Sequence, residues 1–153
     1  MTINCIPDSI ISWNYFLQGP GHEAIWQKKL TSEQGSILID GVFYTIKKHG
    51  VTSGKWTIER NGEVVYTGIK PSAFRRSFQI EGMGKTYDLG PLSVFSRSMY
   101  FSCEGTVLAL ISPKHAFTRK AEIEILQDDA DFPPIVFAFW LTILTWRRRQ
   151  HNS

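Results

Sequence analysis

Asp128-Asp129-Ala130-Asp131-Phe132-Pro133-Pro134 leads into Ile135-Val136-Phe137-Ala138-Phe139-Trp140-Leu141-Thr142-Ile143-Leu144-Thr145-Trp146, and Arg147-Arg148-Arg149 closes the run. Acids and prolines suit a helix N-terminus, and arginines suit a C-terminus, where they meet the negative end of the dipole. The pattern predicts a helix over 132–149. Residues 135–146 carry no charge, and apolar side chains fall on every face of the helix. A helix without a polar stripe is buried in protein or in lipid. A bilayer span needs about 20 apolar residues, whereas stretches of about 10–14 are typical of core helices. Length favours the core. Trp140, Trp146 and the arginines also resemble interface anchors, which keeps a membrane-anchored or lipid-handling protein as the rival reading.

A helix that is apolar all round needs a shell, and the chain before it reads as strands. Short apolar runs broken by Gly, Pro, Asn or Asp give candidate strands at Ile10–Phe16, Ala24–Leu30, Ile37–Ile39, Phe43–Lys48, Lys55–Arg60, Glu63–Ile69, Ala73–Glu81, Lys85–Leu89, Ser98–Glu104, Thr106–Ser112 and Phe117–Leu126. Trp56 and Ile58 alternate with Lys55 and Thr57. Ala121, Ile123 and Ile125 alternate with Lys120, Glu122 and Glu124, and Phe74, Arg76, Phe78 and Ile80 share a face. Asn61-Gly62 is the strongest turn, because Asn-Gly supplies the positive φ angles of a type I′ hairpin; Glu104-Gly105 is a weaker one. Regularly spaced short strands imply an all-β barrel or sandwich. No convincing repeat or linker is visible. The expectation is a single domain over 1–153, with 10–126 mainly strands and the helix at its centre.

The composition is that of a folded chain: 42% apolar and 20% charged among 153 residues. The net charge is +3, and Arg147, Arg148 and Arg149 supply that whole excess. A nucleic-acid binder carries its basic stripe across the folded body, so nucleic acid is not the expected partner. Cys5 and Cys103 form neither a zinc pattern nor a disulfide framework, and the first residues hold no basic segment followed by an apolar run. The expected setting is cytoplasmic, with or without attachment at a membrane surface.

Few residues point to chemistry. Gly82-Met83-Gly84-Lys85-Thr86 ends like a phosphate-binding loop, but Gln79 stands where that motif needs its first glycine, and strand rather than helix follows. A β-turn is the better reading. His22, His49, His115 and His151 lack metal-ligand spacing, and no nucleophile motif occurs. Asp128, Asp129 and Asp131 lack calcium-loop spacing and read as helix caps. No catalytic residue, metal or cofactor is expected. Six basic residues are the candidate contacts for an anionic head group: Lys70, Arg75, Arg76, Arg147, Arg148 and Arg149. On a regular strand Arg75 and Arg76 would point to opposite faces.

Many short strands followed by one apolar C-terminal helix resemble the tubby C-terminal-like superfamily, which includes the LURP-one-related proteins and the phospholipid scramblases. The resemblance runs over 54–149. It rests on Gly54-Lys55-Trp56-Thr57-Ile58, Phe74-Arg75-Arg76-Ser77-Phe78, Thr86-Tyr87-Asp88-Leu89, Phe117-Thr118-Arg119-Lys120-Ala121-Glu122-Ile123, Pro134–Leu141 and Trp146-Arg147-Arg148. It implies a closed antiparallel barrel of roughly twelve strands threaded by the helix. For tubby itself it implies binding of membrane phosphoinositides through basic residues. The cysteine-rich and calcium-binding segments of scramblases have no counterpart here. The expectation is a non-enzymatic binding or scaffold module for an anionic phospholipid or a partner protein. A scramblase-like protein is the alternative, and an unrecognised enzyme or small-ligand carrier the second alternative.

Overall fold

The computed structural model describes residues 1–10, 12–31, 33–50 and 52–151, with the backbone alone for 27–31 and 151. Among these, twelve strands precede one helix: β1 (Thr2–Pro7), β2 (Tyr15–Gly19), β3 (His22–Thr31), β4 (Gln34–Ile39), β5 (Val42–Lys48), β6 (Lys55–Arg60), β7 (Glu63–Ile69), β8 (Phe78–Gly82), β9 (Lys85–Pro91), β10 (Met99–Cys103), β11 (Thr106–Pro113), β12 (Ala121–Ile125) and α1 (Phe132–His151). Each strand pairs with its sequence neighbours, and β1 pairs with β12 to close the barrel. The closing ladder is antiparallel, with Thr2 opposite Glu124 and Cys5 opposite Ala121. Closure leaves no unpaired sheet edge. The fold is thus the closed antiparallel barrel with a C-terminal helix.

The two ends of the barrel differ. At one, the turn end, strands are joined by two-residue turns. Asp40-Gly41, Asn61-Gly62, Met83-Gly84 and Glu104-Gly105 all have positive φ at both positions, as type I′ hairpins require. Met83-Gly84 is therefore the hairpin of β8 and β9, and the segment that mimics a phosphate-binding loop is a turn. At the other, the loop end, the connections 8–14, 49–54, 70–77, 92–98 and 114–120 are longer.

Alternation along the strands fills the interior. Trp56 and Ile58 of β6, Phe78 and Ile80 of β8, and Ala121, Ile123 and Ile125 of β12 are all buried. Helix α1 occupies the space they enclose. Every residue from Ile135 to Leu144 is at most 1% exposed. Two threonines are tolerated there because their hydroxyls donate to carbonyls one turn back, Thr142 to Ala138 (2.8 Å) and Thr145 to Leu141 (3.1 Å). Tyr15 of β2 meets Phe139 edge-on at 5.1 Å, and Trp26 of β3 lies 4.5 Å from Trp140. Gly68 of β7 faces the helix from another side. A Cβ there would sit 3.0 Å from Leu141 Cδ1 and 3.2 Å from Phe137 Cζ, so a glycine makes room for the helix. The helix enters at the turn end behind Asp131 and leaves at the loop end with Arg147–Arg149.

Several strand boundaries differ from expectation. β1 begins at Thr2, before the first expected strand. Ile10 to Asn14 belong to a loop, with Ile11 outside the described residues, and β2 starts at Tyr15. The segments 73–77 and 117–120 are also loop, so β8 starts at Phe78 and β12 at Ala121. Phe74 and Arg76 do not share the inward face of Phe78 and Ile80, and the strand-face reading of Arg75 and Arg76 fails. In the last two segments a phenylalanine that resembles a strand former, Phe74 or Phe117, sits on a loop tip.

Candidate anion-binding site at the loop end

Three loops share one hydrogen-bond scheme. In 8–14, 92–98 and 114–120 the first N–H donates to the last carbonyl: Asp8 to Asn14 (2.9 Å), Leu92 to Ser98 (3.0 Å) and Lys114 to Lys120 (2.9 Å). A hydroxyl then accepts from the amide two residues on: Ser12 from Asn14 (2.9 Å), Ser96 from Ser98 (3.0 Å) and Thr118 from Lys120 (3.1 Å). Such side-chain turns let a short segment satisfy its own backbone. Loop 70–77 follows the same order of residue types with a variant scheme. The sequence correlate is Ala73-Phe74-Arg75-Arg76, Val94-Phe95-Ser96-Arg97 and Ala116-Phe117-Thr118-Arg119: a small or branched apolar residue, Phe, any residue, Arg. A repeat is therefore present, contrary to the reading of the sequence, and it resides in the loops.

The repeated arginine ties each loop to the next. Arg76 donates to the carbonyls of Val94 (2.8 Å), Ser96 (2.6 Å) and Ser93 (3.2 Å). Arg97 donates to Ala116 (3.1 Å), and Arg119 to Ile10 (3.4 Å). Val94, Ala116 and Ile10 stand at the equivalent loop position. Arg97 and Arg119 also lie over the Trp146 and Trp13 rings, at 5.0 and 4.4 Å. Arg76, a candidate head-group contact, is thus chiefly a strap between loops.

The helix end completes the site. Arg148 pairs with Glu33, Nε to Oε1 at 2.6 Å and Nη2 to Oε2 at 2.7 Å, and Lys48 reaches the same carboxylate at 2.6 Å. Burial pushes the Glu33 carboxyl up, but hydrogen bonds and charge from Arg148 and Lys48 outweigh it and hold it below the ordinary glutamate range. Lys70 is fixed by its N–H bond to the Gly54 carbonyl (2.7 Å). A Cβ on Gly54 would come within 2.6 Å of the Lys70 carbonyl oxygen, so this approach requires glycine.

Five of the six candidate residues, Lys70, Arg75, Arg76, Arg148 and Arg149, line one cleft of about 730 Å³ between loop 70–77, loop 92–98 and the helix end. Arg147 is not part of its lining. Apart from the five cations the walls are apolar or hydroxyl-bearing, with no carboxylate, imidazole or thiol among the described residues. Glu33 neutralises Arg148 and Lys48, but the side chains of Lys70, Arg75 and Arg149 make no hydrogen bond or ion pair among the described residues. Burial and then the Arg148 charge push the Lys70 ammonium down, against a smaller opposing pull from Glu33; burial and the Arg149 charge push Arg76 down. A second cleft of about 450 Å³, lined by Arg97, Arg119, Arg149, Trp13 and Trp146 among others, lies on the far side of Arg149.

The sequence did not single out Glu33, Lys48, Arg97 or Arg119. The recurring Phe-x-Arg marks the last two. Nothing local marks Glu33, whose role arises from a helix 115 residues away. Among the described residues no group of three His, Cys, Asp or Glu side chains stands close enough to hold a metal; the side chain of His151 lies outside them. No helix there is long and apolar enough to cross a membrane. No family model, curated protein or solved structure matches the chain.

Proposed function

We propose that the protein is a non-enzymatic binding module whose loop end takes a phosphate-bearing anionic group, such as a lipid head group, in the cleft of Lys70, Arg75 and Arg149. Kinship with the tubby-like barrels is part of this proposal, supported by the architecture and by the sequence resemblance. One observation carries the reading: three cations line one cleft that has no carboxylate in its wall among the described residues, and the nearby Glu33 is already held by Arg148 and Lys48. An anion entering there makes charge-assisted hydrogen bonds and relieves repulsion already present. The lining supplies cations and apolar walls rather than an acid–base pair, which favours binding over turnover.

Calorimetric titration with inositol hexakisphosphate, a soluble polyphosphate, tests the proposal. The expected result is saturable binding that weakens with added salt and falls at least about tenfold in Arg75→Glu/Arg149→Glu. Equal binding by wild type and variant would refute the cleft.

A further inference from the structure

Four side chains on the loop end are almost fully exposed although they are large and apolar: Ile10 (93%), Phe74 (98%), Phe95 (90%) and Phe117 (104%). Isolated apolar residues on a surface need no explanation. These are not isolated. They occupy the tips of four loops at the same end of the barrel, three of which share the Phe-x-Arg order, while loop 8–14 shares the hydrogen-bond scheme of 92–98 and 114–120. In the three Phe-x-Arg loops the apolar tip is followed by an arginine that donates to a carbonyl of the neighbouring loop.

We infer that the loop end docks face-on against an anionic lipid bilayer, with these four tips inserted at the interface and the surrounding cations at head-group level. Charge complementarity selects this occupant. Loop 70–77 carries Lys70, Arg75 and Arg76, loop 114–120 carries Lys114, Arg119 and Lys120, and the helix end adds three arginines, against Asp8 and Glu33. The connections at the turn end carry only acidic charges, Asp40, Glu104, Asp128, Asp129 and Asp131, with Lys85 of β9 beside Asp131. This asymmetry orients the loop end toward a negative surface. Separate apolar points interleaved with cations match a fluid interface, which accommodates each tip independently. A partner helix needs a continuous apolar groove, whereas Phe74 and Phe117 line two different clefts with arginines between them. A second copy meeting end to end would set the two cationic faces against each other. The inference extends the anion-binding proposal but rests on a separate observation, the apolar tips.

The test is flotation of the full chain with phosphatidylcholine vesicles, with and without phosphatidylserine. Wild type is expected to float with the anionic vesicles. Phe74→Ser/Phe95→Ser/Phe117→Ser should bind them at least about tenfold more weakly, with unchanged melting; Phe95→Ser/Phe117→Ser, which leaves the Phe74 wall of the cleft in place, should also bind them more weakly and keep its affinity for inositol hexakisphosphate. Met83→Ser, at the exposed turn end, should bind like wild type. A second readout does not depend on the triple variant. Phe95→Cys in a Cys103→Ser background, carrying an environment-sensitive dye, should shift to the blue on anionic vesicles, whereas the same dye at Met83→Cys should not. Undiminished flotation of the triple variant, an absent shift at position 95 or an equal shift at position 83 would overturn the inference. If inositol hexakisphosphate fails to bind while the tip variants still lose vesicle binding, the cleft fails and the docking face stands.

Discussion

Arg148 holds Glu33 through two hydrogen bonds, Nε to Oε1 at 2.6 Å and Nη2 to Oε2 at 2.7 Å, and so fastens the exit of the helix to the turn between β3 and β4. The same carboxylate binds Lys48, and both cations lie over the Trp56 ring, at 5.4 and 5.6 Å. Glu33 thus neutralises part of a cationic end and leaves the remainder for a ligand. Glu33→Gln should cost about 1–2 kcal/mol of stability, since a paired, partly exposed charge is lost. It should also tighten inositol hexakisphosphate binding about two- to tenfold by releasing Arg148 and Lys48. Denaturant melts and calorimetry on one preparation check both.

The pH dependence follows from the same residue. The folded protein holds the Glu33 carboxyl below its ordinary range. Its contribution is therefore complete above the unfolded value of about 4.3 and is lost as pH falls through the folded value. Wild type should lose stability relative to Glu33→Gln as pH drops below about 4.3. Urea midpoints across that range report it, and parallel profiles would contradict the assignment.

Arg75 and Arg76 are neighbours with opposite expected phenotypes. Arg76 donates to three carbonyls of the next loop, whereas Arg75 is exposed in the cleft without a partner among the described residues. Arg76→Ala should cost about 1–3 kcal/mol and speed amide exchange in loop 92–98. Arg75→Ala should stay within about 0.5 kcal/mol of wild type and show its effect in anion affinity.

The helix is the centre of the core, and Gly68 marks how closely the wall approaches it. Gly68→Leu must displace Leu141 or Phe137 and should cost about 1–3 kcal/mol or more in thermal melts. Deleting residues 132–153 removes nine large buried apolar side chains between Ile135 and Trp146. At about 1.5–3 kcal/mol each, their loss exceeds a domain stability of about 5–15 kcal/mol, so the truncated chain should not fold cooperatively.

Much of this architecture is legible in the residues. Ile135 to Trp146 leaves no side for water, and Asn61-Gly62 sets a hairpin with its own φ preferences, so a shell of strands around a helix follows from local patterning. The loops are less legible for a physical reason. Ala73-Phe74 and Ala116-Phe117 have strand composition, and only the closure of 92–98 and its relatives by hydroxyl and end-to-end bonds shows them as tips. β1 is hard to read because the alternation Thr2-Ile3-Asn4-Cys5 is only four residues long and one of its two partner strands lies more than a hundred residues away. The cleft was visible as a set of cations but not as a place. Lys70, Arg75 and Arg149 meet only because the helix runs the full barrel, and Glu33 joins them through tertiary structure alone.

The most direct measurement is backbone NMR of the intact chain titrated with inositol hexakisphosphate. Binding in the cleft gives saturable shifts confined to loop 70–77, loop 92–98 and the helix end, with the turn end silent. Shifts centred on the turns at Asp40-Gly41 or Met83-Gly84, or no shifts at all, would contradict it.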